Sequence, residues 1–149
     1  MDSGADTAEL GAEGFGEGEL ISEELGSGLV EQPRATERGP LRTIYFSFDS
    51  SELDDVALRT LEENARWLRQ HPDNSAVVEG HCDERGTIEY NLGLGARRAR
   101  SVRDHLVRLG IDSGRLRTIS YGEERPADPG HDEMAWSKNR RVEFQVLEP

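Results

Sequence analysis

A single cysteine, Cys82, occurs among the 149 residues, so no internal disulfide can form and cysteine usage says nothing about compartment. No apolar run approaches the roughly 18 residues that a membrane helix needs. Nor does the chain open with the charged, then apolar, pattern of a leader. If the native protein is exported, Met1 is expected to stand where a processed leader was removed. Basic charge is scarce: 18 Lys and Arg face 30 Asp and Glu, a formal net charge of -12. Nucleic-acid binding depends on cations that neutralise phosphates, so this balance argues against nucleic acid as a partner. There is no Gly-x-Ser-x-Gly elbow, and Cys82 has no distinctive catalytic context.

What is present is unevenly spread. Residues 1–40 hold ten acidic residues against Arg34 and Arg38, a net of -8, which leaves -4 for residues 41–149. Half of the 16 glycines lie in the same forty residues. Such a segment buries too little apolar surface to offset chain entropy, and it is expected to be a disordered, acidic, glycine-rich tether. About 40 flexible residues have an r.m.s. span on the order of 35 Å and a maximum reach of about 130–140 Å. Self-repulsion favours the longer end of that range. The folded domain is expected at 41–149, within the size range of one domain.

Inside it, "RTIYFSF" (42–48) alternates, with Ile44, Phe46 and Phe48 on one side, and predicts a strand. Asp54 is placed to cap a helix over Asp55–Gln70, where Leu58, Leu61, Ala65 and Leu68 share a stripe that ends before Pro72. "SAVVEG" (75–80) predicts a second strand. Thr87 caps a second helix that carries Ala99, Val102, Leu106 and Leu109 inward and stops at Gly110. "LRTISY" (116–121) and "RRVEFQVL" (140–147) predict two more strands, joined by a long loop from Gly122 to Asn139. The order βαβαββ predicts an α/β two-layer sandwich: a small mixed sheet, with two crossovers placing both helices on one face.

Chemistry concentrates in "GHCDERGTIEYNLGLGARRARSV" (80–102). Asp83 sits where the chain leaves the second strand, Gly86 permits a tight turn, and loops at strand ends commonly carry binding residues. Arg98 precedes the inward position Ala99, so it is expected to flank the packed stripe; Arg97, about 100° further round, is expected to be more solvated. Two readings of Asp83 and Arg98 stand at this point: ordinary surface charge, or two borders of one groove between helix and sheet edge. His81, Asp83, His131 and Asp132 raise a metal reading, but they lack helical i, i+4 spacing and a placed glutamate base. No metal or cofactor is expected, and no catalytic residue. Trp67 is expected to pack a helix. Trp136 is read either as a packing residue or as an exposed contact. Arg97, Arg100, Arg103 and Arg108 read as a solvated face.

"YFSFDSSEL", the 80–102 segment and "ISYGEERPADPGHDEMAWSKNRRVEF" together resemble the OmpA-like peptidoglycan-binding domain, and most of all its outer-membrane lipoprotein branch. The likeness runs through residues 43–147 in order. It implies a non-enzymatic domain that holds the meso-diaminopimelate side chain of the peptidoglycan stem peptide. The aspartate of "DERGT", Asp83, then receives the ligand's ammonium, and the second arginine of "RRA", Arg98, its carboxylate. Asp49 and Phe48 border the pocket, with Thr87, Asn91 and Leu94 at further pocket positions. Cys82, Ala96, His105 and Ile88 depart from residues common in the family at those places.

The resemblance also implies partners: a TolB-like periplasmic β-propeller of a Tol–Pal system, and the outer membrane through an N-terminal lipid anchor that is not present in this chain. The implied place is therefore the periplasmic face of the cell outer membrane. The long loop around Trp136 and the rim of the clamp are the expected propeller contact. Two rival expectations remain, a wall-anchoring domain of a porin or flagellar stator, and a periplasmic metal-dependent wall enzyme.

Overall fold

The computed structural model of the chain describes residues 39–149. The expected tether therefore lies outside the described residues, apart from Gly39 and Pro40. Within 42–48 the regular strand is confined to β1 (Ile44–Tyr45), shorter than the alternating sequence predicts. Ile44 and Phe46 are buried as expected, but Phe48 is 57% exposed. The alternation fails there because the backbone turns: Ser50 N–H donates to the Ser47 carbonyl, and Asp49 takes a φ of 56°. Asp49 is the only non-glycine with positive φ among the described residues, a conformation that aspartate adopts more readily than most.

Helix α1 (Asp55–Gln70) starts as predicted, with Asp54 Oδ1 accepting from Ala57 N–H at 2.8 Å. Leu61, Ala65 and Leu68 are fully buried, and Leu58 is half-buried. Its last carbonyls have no helical partners, and Arg115 from far along the chain donates to Leu68 O and His71 O at 2.9 and 2.7 Å. Strand β2 (Ser75–His81) follows. Helix α2 (Ile88–Arg108) is capped by Thr87 and ends at Leu109, ahead of Gly110 with its φ of 101°. A single 3₁₀ turn (Ser113–Arg115) leads into β3 (Leu116–Gly122).

The span from Gly122 to Asn139 is not all loop. It contains α3 (Glu133–Asn139), capped by Asp132, whose carboxylate accepts from Ala135 N–H at 3.0 Å. Ala135 is its only buried apolar side chain, so this helix lacks the apolar stripe by which the others are recognised. Strand β4 (Arg141–Leu147) completes the sheet.

The strand order is β1-β4-β2-β3, with β1/β4 and β4/β2 antiparallel and β2/β3 parallel. One cluster joins Ile44, Ala76, Val78, Leu116, Val142 and Phe144 of the sheet to Leu61 and Leu68 of α1 and Ala99, Val102 and Leu106 of α2. Both helices therefore cover the same face, as expected. The other face of β2 and β4 does not follow the polar-out pattern. Glu79, His81, Arg141 and Glu143 are all buried, and Arg141 Nε donates to Glu143 Oε2 at 2.6 Å.

Two glycines set how near α2 lies to the sheet. A Cβ on Gly80 of β2 would fall 1.8 Å from the Gly95 carbonyl oxygen, and one on Gly95 would fall 2.3 Å from Ser120 Oγ. No side chain fits in that seam. Its consequence is functional: it brings the α2 segment that carries Leu94 and Arg98 down onto the end of β2.

Candidate functional site

The C-terminal end of β2, the turn at 83–86, the start of α2 and the turn at 47–50 enclose a pocket of about 200 Å³. It is lined by Phe48, Asp49, Asp83, Asn91, Leu94 and Arg98, six of the seven residues expected there, and also by Cys82, Arg85, Gly86 and Tyr90. Thr87 is the exception. Its hydroxyl accepts from Tyr90 N–H at 3.0 Å, so its work is to cap α2. The pocket sits over the end of β2, which is an interior strand of the sheet, and not at a sheet edge as expected.

Arg98 is deeper than its position beside the stripe predicts, with 0% of its surface exposed. Nε donates to Ser50 O at 2.7 Å, Nη1 to His81 O at 2.8 Å and Nη2 to Ser47 O at 3.1 Å. The left-handed backbone at Asp49 lies between the two carbonyls, Ser47 and Ser50, that flank the guanidinium. A guanidinium carries five N–H donors, so each Nη keeps one more N–H beyond these bonds. Burial pulls the Arg98 pKa down, against the attraction of the Asp83 carboxylate.

Asp83 is 4% exposed and is held by different partners. Arg85 approaches it with the backbone N–H at 3.0 Å, Nε at 3.2 Å and Nη2 at 2.8 Å. Arg140 Nη1 lies 3.6 Å from Oδ2. Burial pushes the Asp83 carboxyl up, but the Arg85 hydrogen bonds and the charges of Arg85 and Arg140 together hold it below its ordinary value. Arg140 is itself fixed, with Nε donating to Phe46 O at 2.9 Å and Nη2 to Glu133 Oε2 at 3.0 Å.

Asn91 is buried and organises the turn. Its Nδ2 donates to the carbonyls of Asp83 and Arg85 at 3.3 and 3.0 Å and to Glu123 Oε1 at 2.6 Å. Gly86 answers the turn's demand for a φ of 104°. At the mouth, the Tyr90 hydroxyl donates to Asp49 Oδ1, a bond that raises the phenol's pKa. Arg97 is half-buried, with its guanidinium 5.6 Å from the Tyr90 ring centre. Cys82 is buried, its Sγ 3.2 Å from Asn91 O, and desolvation raises its pKa to about 12. Burial thus disfavours the thiolate, the reactive form of the side chain, at neutral pH.

The residues of the metal reading are dispersed. His131 Nδ1 pairs with Glu84 at 2.8 Å, while His81 stacks on Tyr121 on the helix-free side of the sheet. Trp67 packs against the core and stacks on His71. Trp136 does reach the site: its ring lies 4.0 Å from the Arg85 guanidinium carbon, and Nε1 donates to Glu84 Oε2 at 2.9 Å. Arg85, which lines the pocket, and Arg140, which supports it, are among the residues that the sequence pattern does not by itself reveal, as is Tyr90 with its bond to Asp49. The acid–base spacing of "DER" was the available signal for the first; for the second there was none beyond its adjacency to a strand.

The arrangement is a small charged pocket with a carboxylate and a guanidinium on one lining, built on the sheet of an α/β sandwich. The sequence profile of the OmpA family matches residues 45–140, and the chain belongs to that family. Curated relatives that it matches include several that bear the name peptidoglycan-associated lipoprotein. That of Pseudomonas putida is 42% identical over 91% of this chain and 84% of its own length. That of Mesorhizobium japonicum is 55% identical over 66% of this chain, and that of Pseudomonas aeruginosa 48% identical over 70%. In these two the match spans 59% and 62% of the relative. The crystal structure of the peptidoglycan-associated lipoprotein from Burkholderia pseudomallei superposes with a TM-score of 0.69 at 40% identity, covering 71% of this chain and 90% of that one. The C-terminal domain of Helicobacter pylori MotB reaches 0.68 at 24% identity, over 72% and 84% of the two chains, and shares the fold.

Proposed function

We propose that this chain binds peptidoglycan without catalysis, by holding the amino-acid end of the meso-diaminopimelate side chain in the pocket between Asp83 and Arg98. The protein then tethers the outer membrane to the cell wall as part of a Tol–Pal system. Its other partners are a TolB-like periplasmic β-propeller and the outer membrane, reached through an N-terminal lipid anchor. The observation that carries this reading is that Asp83 and Arg98, fifteen positions apart in sequence, line one pocket. Membership of the OmpA family and likeness to proteins named for their association with peptidoglycan support it.

The chemistry suits the ligand. The free end of diaminopimelate carries an ammonium and a carboxylate, both charged at neutral pH. An aspartate serves the first, and an arginine serves the second with directed N–H bonds that lysine cannot copy. Each charge-assisted bond contributes roughly 1.5–3 kcal/mol net. Two or three of them, with Phe48 and Leu94 beside the ligand, correspond to millimolar to micromolar affinity for a soluble fragment. Repeated sites on a wall polymer convert modest affinity into firm retention of a tethered domain.

Incubation with purified sacculi tests the proposal. The chain should sediment with the wall and release no soluble muropeptides, with or without a chelator, and Asp83→Ala should stay in the supernatant. Release of muropeptides, or undiminished pelleting of Asp83→Ala, contradicts it.

A further inference from the structure

We propose that Arg85 is an internal occupant of Asp83, a guanidinium that an incoming ammonium has to displace and that thereby sets the pocket's affinity and selectivity. This rests on the reading of the pocket as a site for an amino-acid terminus. The contacts are unusually complete for a residue two positions away. Arg85 engages both carboxylate oxygens, Nε and the backbone N–H at Oδ1 and Nη2 at Oδ2. Its guanidinium carbon also lies 4.0 Å from the centres of both the Phe48 and the Trp136 rings. The slot is itself braced, because Glu84 takes the Trp136 indole N–H and His131 Nδ1.

An ionised carboxylate offers about four acceptor positions. Arg85 directs three N–H groups at them, and Arg140 adds a second cation 3.6 Å from Oδ2. A ligand ammonium arriving from the pocket meets the same oxygens and brings a third positive charge. The three cations then compete for two oxygens, and the least anchored of them gives way. Arg140 is anchored on Phe46 O and Glu133 and is 9% exposed at its side chain. Arg85 is 32% exposed at its side chain, and rotation about its flexible stem lets the guanidinium leave Asp83 while remaining in the aromatic slot. The empty pocket thus keeps its buried aspartate neutralised, and only a ligand that carries its own cation compensates for breaking the pair. A ligand with that amine acylated gains nothing from the exchange.

The experiment compares the full chain, Arg85→Gln and Trp136→Leu by calorimetric titration with a diaminopimelate-containing tripeptide, free or N-acetylated at the side-chain amine. Arg85→Gln should bind the free amine about tenfold more tightly, the equivalent of one charge-assisted bond that no longer has to be broken. It should show no gain for the acetylated peptide. Trp136→Leu, which loosens the slot and leaves both charges in place, should shift affinity the same way by a smaller factor. Free-amine binding that is unchanged or weaker in Arg85→Gln overturns the internal-occupant role and leaves the ligand reading standing. Absence of binding by all three natively folded chains overturns the ligand reading, and the occupant role falls with it.

Discussion

Asp83 and Arg98 line one pocket, yet each is held by its own partners: Asp83 by Arg85 and Arg140, Arg98 by the carbonyls of Ser47, Ser50 and His81. The two charges are thereby positioned without being spent on each other. Each partner set also ties together segments distant in sequence, so the site and the fold share residues.

Arg98→Leu should accordingly fail in stability as well as in binding. It leaves three carbonyls without their donor, of which that of His81 is buried, and a buried polar group without its partner costs roughly 1–3 kcal/mol. The expected loss in urea unfolding is about 3 kcal/mol or more, several times the loss for Arg100→Leu on the exposed face of α2. Equal losses for the two variants contradict the buried-staple role.

Gly95→Ala tests the seam between α2 and β2. The added methyl meets Ser120 Oγ at 2.3 Å and the Gly80 carbonyl at 3.0 Å, so α2 has to move outward. Overpacking of this kind costs about 1–3 kcal/mol or more, outweighing the gain of about 1 kcal/mol in helix propensity. Because Leu94 and Arg98 ride on the same helix, wall binding should weaken along with the unfolding midpoint. A stabilised variant contradicts the account.

The pH dependence follows from Asp83. Its folded pKa lies below the ordinary value, so the unfolded chain takes up this proton first as pH falls. The carboxylate therefore contributes stability above about pH 4, and that contribution disappears as pH drops through the folded value. Asp83→Asn should be less stable than the parent at pH 7, and the gap should narrow as denaturant midpoints are followed into acid. A gap that stays constant or widens contradicts the pairing with Arg85 and Arg140.

The Cys82 thiol, buried and raised to about 12, should resist alkylation at pH 8 until the chain unfolds. Mass spectrometry after iodoacetamide treatment in buffer and in denaturant checks this; rapid labelling of the native chain contradicts it.

Much of the fold was legible because α1, α2, β2, β3 and β4 each carry an apolar period, and because Asp54 and Thr87 are good caps. Helix α3 was not, since Asp132 supplies a cap but Ala135 alone supplies an inward apolar side chain. Phe48 was misread because alternation assumes extended backbone, and the turn at Asp49 ends it. The burial of the polar set Glu79, His81, Arg141 and Glu143 has no signal in the sequence, because periodicity assigns a side of the sheet and not its exposure. At the site, the residue pattern points to Asp83 and Arg98, and the family resemblance adds Asp49, Phe48, Asn91 and Leu94, all of which line the pocket. Arg85 was passed over, because the contact that defines it, stacking between Phe48 and Trp136, joins residues 88 positions apart.

Backbone amide NMR titration with a diaminopimelate-containing tripeptide, set against the same peptide with lysine in its place, bears most directly on the pocket. The lysine peptide keeps the ammonium and lacks the second carboxylate. The account predicts saturable shifts at residues 48–50, 82–86, 91 and 94 with the first peptide, and affinity lower by about tenfold or more with the second, as expected on losing a charge-assisted contact to Arg98. Equal affinities, or shifts that avoid these residues, would contradict it.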